Sequence, residues 1–159
     1  MKSGADIIVL SANPSLLAGS GISGAIHKAA GKELELAAKA LGPIKAGEAV
    51  ITLAFNLSAK YVVHTVCPRY IDGQRDEREL LAEAYRSALN FYDEVPNERS
   101  ISFVSMGTGV YRWPLELAAE IAIKELAQSK FEETTMCVID ELARTTYKRI
   151  RSNKVNGHE

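Results

Sequence analysis

Cysteine is scarce in this chain: Cys67 and Cys137 are the only two, far apart and neither in a Cys-x-x-Cys pair. Neither a disulfide framework nor a zinc knuckle is indicated, and a reducing compartment, the cytoplasm, is expected. An excess of charge of one sign is missing too. With 19 Lys and Arg against 20 Asp and Glu, the formal net charge is -1, so no global basic field exists to hold long nucleic acid, although a local phosphate site is compatible with this balance. Long hydrophobic runs are also lacking. None reaches the roughly 20 residues that span a bilayer, and the apolar run after Asp6 ends by Leu10, too short for a signal-peptide core. Neither a membrane partner nor export is expected, and no internal repeat or low-complexity tract is visible.

What remains has the make-up of an ordinary folded domain. The 159 residues, 47% apolar and 25% charged, fit one domain that buries roughly two-thirds of its unfolded surface. That domain is expected over 1–151, with 152–159 a polar, frayed tail. Residues 6–12 form a short apolar run without alternation, the pattern of a strand buried on both faces of a parallel sheet. Residues 25–41 place Ala, Leu and Ile at helical spacing and close on Gly42-Pro43. Val, Ile and Thr predict strands over 48–55 and 60–66, and an apolar stripe predicts a helix over 74–95. A strand over 100–105, a helix from Pro114 to about Lys130, a strand over 134–139 and a helix over 141–150 complete the chain. This alternation predicts an α/β fold: a three-layer α/β/α sandwich with a mixed, mostly parallel central sheet, antiparallel where the second and third strands adjoin.

Two strand-to-helix loops stand out, because open α/β sheets bind ligands beyond the carboxyl ends of their strands. The first, residues 13–24, packs Gly19, Gly21 and Gly24 into six residues; the second, 107–113, contains Gly107, Thr108, Gly109, Val110, Tyr111, Arg112 and Trp113. Glycines let the backbone approach a ligand so that successive N–H groups converge on an anion, and a helix dipole adds to the attraction. Two such loops suit a diphosphate, whereas one alone serves a tight turn equally well. Residues 19–24 also spell G-x-G-x-x-G, but the dinucleotide fingerprint needs its strand immediately before and an acid roughly 20 residues on, and both are missing. A Walker loop is absent as well, for no Gly-Lys-Ser or Gly-Lys-Thr follows.

Together these segments resemble the macro domain family, a module that binds ADP-ribose and related nucleotides. The resemblance rests on Asn13, Ser15-Leu16-Leu17, Gly24-Ala25-Ile26-His27, Ala29-Ala30-Gly31, Gly47-Glu48-Ala49 with Ile51-Thr52, Ala59 through Val66 with Pro68, Tyr85-Arg86-Ser87-Ala88-Leu89, Thr108-Gly109-Val110-Tyr111 with Pro114, and Ala118-Ala119-Glu120-Ile121-Ala122. It implies that Asn13, Gly19, Ser20, Gly21, Ile22 and Ser23, with Gly107, Thr108, Gly109, Val110, Tyr111 and Arg112, hold ADP-ribose, Asn13 facing the distal ribose. The partner implied is ADP-ribose, free or carried on an ADP-ribosylated protein, with no resident cofactor and no metal. In catalytic members of one branch an Asp in the first loop works with the Asn to position a water. Here that position is Ser23, which lacks the carboxylate, and such acid–base contributions are worth about 10²–10⁴ in rate. Binding without efficient hydrolysis is the expectation; the alternative is an ADP-ribosyl or O-acetyl-ADP-ribose hydrolase that uses Asn13 and a different base. The family's first Asn is Leu10, a Ser of its second loop is Gly107, and its usual Gly after Tyr111 is Arg112, which reaches solvent or adds a phosphate contact. The acid that reads the adenine amino group has no counterpart, because Asp6 opens the buried strand instead, and the sheet is expected to have a bare or differently covered edge.

The remaining reactive side chains have structural readings. His27 is expected as a packed helix residue, His64 as a strand residue satisfied by backbone, and Cys67 as a strand-end residue, since His64-x-x-Cys67 has no third or fourth metal ligand nearby. Tyr111 is assigned to the ligand, on which an aromatic ring stacks readily. Trp113 is assigned to packing the loop on the core, and the Lys148–Arg151 cluster to a solvated helix face.

Overall fold

The computed structural model describes residues 5–19, 21–95, 97–104, 113–137 and 141–157, with only the backbone course given for 21, 141 and 151–157. In chain order the elements are β1 (Ile7–Ser11), α1 (Gly21–Ala30), α2 (Lys32–Lys39), β2 (Ala49–Leu53), β3 (Tyr61–Thr65), α3 (Glu77–Leu89), a 3₁₀ turn (Asn90–Asp93), β4 (Ser100–Val104), α4 (Leu115–Leu126), β5 (Glu133–Cys137) and α5 (Glu141–Gly157). The five strands form one sheet in the order β2-β3-β1-β4-β5. β1 runs parallel to both β3 and β4, and β4 parallel to β5. Among the described residues only β2 and β3 pair antiparallel, the step expected of adjacent strands with a short connection.

β1 lies at the centre because it is apolar on both sides. Ile7, Val9, Ile101, Phe103 and Val63 turn to one face and meet Leu81, Tyr85 and Ala88 of α3 and Ala118 and Ala122 of α4, with Tyr147 of α5 at the margin. Ile8, Leu10, Val62 and Val104 turn to the other face and meet Ile26 and Ala30 of α1 and Leu34 of α2. The layers are therefore α1 and α2, the sheet, then α3, α4 and α5, which is the predicted three-layer sandwich. Edge strand β5 is half-exposed, as a polar Glu-Thr-Thr start allows. Asp6 fixes the amino end of the sheet: its carboxylate accepts the Arg99 and Ser100 N–H groups, and its carbonyl accepts those of Lys60 and Tyr61.

The helices depart from expectation at their ends. The single helix expected over 25–41 is two, α1 and α2, separated by Gly31 at φ 98°, and α1 starts four residues earlier than expected, inside the glycine run. Glycine's low helix propensity hid that start, and packing overrides it. The helix expected over 74–95 spans Glu77–Leu89 before tightening into the 3₁₀ turn. Pro114 sits one position outside α4 as its N-cap, and α4 stops at Leu126. α5 continues past Ile150 to Gly157, so most of the expected tail is helical.

Candidate functional site

The chain leaves β1 toward α1 on one face of the sheet and leaves its neighbour β4 toward α4 on the other. Leu10 and Val104 are register partners in these parallel strands, so both exits lie at one carboxyl edge. Connections diverging to opposite faces from adjacent strands open a crevice between them, the place where α/β sheets bind ligands. Of the expected site residues, the structure places Asn13, Gly19, Gly21, Ile22 and Ser23 at this edge. Ser20, Gly107, Thr108, Gly109, Val110, Tyr111 and Arg112 lie outside the described residues.

The path from β1 to α1 is tightly held. Ala12 N–H still donates to Thr65 C=O at 2.8 Å, extending the β1–β3 ladder by one residue. The Asn13 side chain then closes on Leu17, its Nδ2 donating to the Leu17 carbonyl at 2.9 Å and its Oδ1 accepting the Leu17 N–H at 3.2 Å. Asn13 C=O accepts the Leu16 N–H at 3.0 Å, and the Leu16 side chain is buried among Ala12, Ala38, Ile44 and Val66. From α2, the Glu35 carboxylate accepts the Ala18 N–H. Gly19 lies beside the Asn13 amide, a side-chain carbon there falling 3.8 Å from Nδ2.

α1 then begins at Gly21, so the first-turn N–H groups of Gly21, Ile22 and Ser23 have no acceptor within the helix. Ile22 packs toward the core face shared with Leu10 and Val104, and Ser23 is half-buried. No Asp or Glu lies in the first turn of α1, which leaves the positive end of its dipole uncompensated by its own side chains.

Beneath α1, His27 and His64 face each other, ring centroids 6.1 Å apart. His64 is fully buried and its Nε2 is bonded to the Thr52 hydroxyl at 3.0 Å, not to backbone as expected. β3 offers its backbone groups to its two neighbour strands, which leaves the ring to a side chain. Burial, reinforced by His27, pushes the His64 pKa down to about 4; burial also lowers that of His27, against the pull of Glu35. Cys67 packs on the opposite face with Leu81 and Tyr85, so His64 and Cys67 are not brought together. Among the described residues no group of three or more His, Cys, Asp or Glu side chains could hold a metal ion, and no helix is long and apolar enough to cross a membrane.

Two further residues organise the same edge without having been singled out for it in the sequence. Glu77, at the start of α3, accepts the N–H groups of Ile71, Asp72 and Arg75 and thereby shapes the loop after β3. Burial pushes its carboxyl up, and these backbone donors outweigh that, leaving it below the ordinary value. Glu35 is the other. Trp113 behaves as expected: it is buried, its Nε1 donates to the Pro68 carbonyl at 2.8 Å, and its ring packs on Tyr70.

The family model described as Macro domain matches residues 9–122. An O-acetyl-ADP-ribose deacetylase of Klebsiella pneumoniae is 42% identical over 154 residues, covering 91% of this chain and 87% of its own. The Oceanobacillus iheyensis macrodomain solved with ADP superposes with a TM-score of 0.92 at 34% identity, covering 98% of this chain and 87% of its own. The Trypanosoma brucei macrodomain in complex with ADP-ribose superposes at 0.81 with 32% identity, covering 91% of this chain and 62% of its own. A family match over most of the length, joined to these identities, settles the assignment: the chain belongs to the Macro domain family.

Proposed function

We propose that this protein binds ADP-ribose, or a related nucleoside diphosphate, in the crevice between the β1 and β4 exits, and that it does so without efficient hydrolysis. The observation that carries this reading is the start of α1, where the first-turn N–H groups of Gly21, Ile22 and Ser23 lack an acceptor within the helix, directly after a loop held through its Leu16, Leu17 and Ala18 N–H groups. A diphosphate carries the charge that such a helix start attracts. Gly107 to Arg112 are assigned by the resemblance to the second side of the ligand, with Tyr111 against the ribose or base, and the Asn13 amide to the distal ribose. The ADP and ADP-ribose held by the structural neighbours support the same ligand class. Ligand attached to a protein is served by the same crevice if its linkage end points outward.

Weak turnover follows from Ser23, where no carboxylate is present to orient a water. The deacetylase similarity favours a second reading, hydrolysis through Asn13 and another base. Calorimetric titration with ADP-ribose, with AMP and NAD as competitors, tests binding. Micromolar affinity, abolished in a folded Gly21→Glu variant, is expected; no heat and no thermal shift at millimolar ligand overturns the reading. Release of acetate from O-acetyl-ADP-ribose separates the two: slow turnover that rises about 10²-fold in Ser23→Asp supports binding as the native role, and fast turnover by the unaltered chain supports the hydrolase.

A further inference from the structure

Between Asn13 and α1 the backbone must take one path for the N–H groups at the helix start to face the crevice. Three consecutive donors on that path are already committed: Leu16 N–H to the Asn13 carbonyl, Leu17 N–H to the Asn13 side chain, and Ala18 N–H to Glu35. The first two bonds are local, within four residues, and tie the loop only to itself. The third comes from another element and spans 17 positions of sequence. It is the last anchor before Gly19, and two of the next three residues are glycines, whose backbone loses more freedom on ordering than that of any other residue.

We propose that Glu35 is a positioning residue for the ligand site: from α2 its carboxylate holds the Ala18 N–H and so fixes the course of the glycine run into α1. The assignment rests on the ADP-ribose reading above and deepens it. Glu35 touches no ligand; its acceptor oxygen pre-orders a loop that otherwise orders only when ligand arrives, at the expense of affinity. Because the acceptor matters and not the charge, a side-chain amide of equal length preserves the function. A purely electrostatic role has the opposite signature, since a carboxylate near a diphosphate repels it and its removal tightens binding.

The test compares the unaltered chain with Glu35→Gln and Glu35→Ala, by calorimetry with ADP-ribose and by amide hydrogen exchange without ligand. The expected result is about tenfold weaker binding in Glu35→Ala, the scale of one hydrogen bond, and affinity within about twofold of the parent in Glu35→Gln. Exchange at Ala18 is expected to be slow in the parent and in Glu35→Gln but fast in Glu35→Ala, with thermal midpoints unchanged in all three. Parent-like affinity in Glu35→Ala, or tighter binding in both variants, overturns the assignment. If the unaltered chain itself fails to bind, the ADP-ribose reading falls and this role with it, an outcome distinguishable because it requires no substitution.

Discussion

Gly24 lies in α1 where the helix passes against the loop, and its missing side chain decides whether the two can touch. A carbon added there falls 2.3 Å from the Gly19 carbonyl oxygen and 3.1 Å from its carbon, and both atoms are backbone, unable to rotate aside. Gly24→Ala therefore sets two effects against each other. The helix gains about 1 kcal/mol in propensity, while the overpacked contact costs about 1–3 kcal/mol or is relieved by moving the loop. Net stability is expected to change by no more than about 2 kcal/mol, and the loop to give way before α1, whose Ile26 and Ala30 are buried. ADP-ribose affinity is then expected to fall at least tenfold while the urea midpoint shifts only modestly. A variant that binds like the parent would show that the loop path is not what presents the donors. At this scale much was legible: Asn13 and Gly19 belong together in the sequence pattern and are neighbours in space. The partner of the His64 ring was not, because Thr52 meets it only through the antiparallel register of β2 and β3.

Among the elements, the break at Gly31 has the widest consequences. Were 21–39 one straight helix, Glu35 would stand about 21 Å along the axis from its start, at 1.5 Å per residue. The turn at Gly31, with φ 98° and ψ 171°, folds α2 back so that Glu35 reaches Ala18. Such dihedrals are open essentially to glycine alone. A side-chain carbon at Gly31 also falls 2.9 Å from the Glu33 carboxylate and 3.1 Å from the Asn56 amide. Gly31→Ala is expected to destabilise the fold by about 1–3 kcal/mol, read as a lower urea midpoint at unchanged slope, and to weaken ligand binding through α2. An unchanged midpoint would show that the connection can take another course. This explains what the sequence displayed and what it concealed. Apolar periodicity continues through Gly31 and reads as one helix, and a lone glycine inside such a pattern is ambiguous. The burial of β1 on both faces, by contrast, was readable, because Ile7 to Leu10 is an unbroken apolar run. The role of Glu35 depends on the break and so could not be read from periodicity.

Across the whole molecule, the sheet joins two acid-sensitive groups that act in different pH windows. At its carboxyl half His64 is sealed between β2, β3 and α1, with a folded pKa of about 4 against roughly 6.5 for an exposed histidine. Between those values the unfolded chain holds a proton that the folded chain refuses, so stability rises with pH through the window and falls on acidification. A displacement of this size corresponds to about 3 kcal/mol lost from pH 7 to pH 4, a large share of the 5–15 kcal/mol typical of a domain. His27, also lowered, adds in the same direction. At the amino edge the shift has the opposite character. The N–H of Arg99 leads in lowering the Asp6 pKa, with burial opposing and Ser100 and Lys60 assisting. Asp6 therefore stabilises the fold at all pH above the ordinary carboxylate range, and that contribution disappears only as pH falls below about 3.8. Urea midpoints measured from pH 7 to pH 3 are expected to decline in two stages, first through the histidines and then through Asp6. His64→Gln, which keeps a partner for the Thr52 hydroxyl, should begin less stable at pH 7 yet lose less between pH 6.5 and 4, while Asp6→Asn should leave that first stage intact and blunt the second. Equal slopes in the parent and His64→Gln would show that the buried ring is not the group that couples folding to protons.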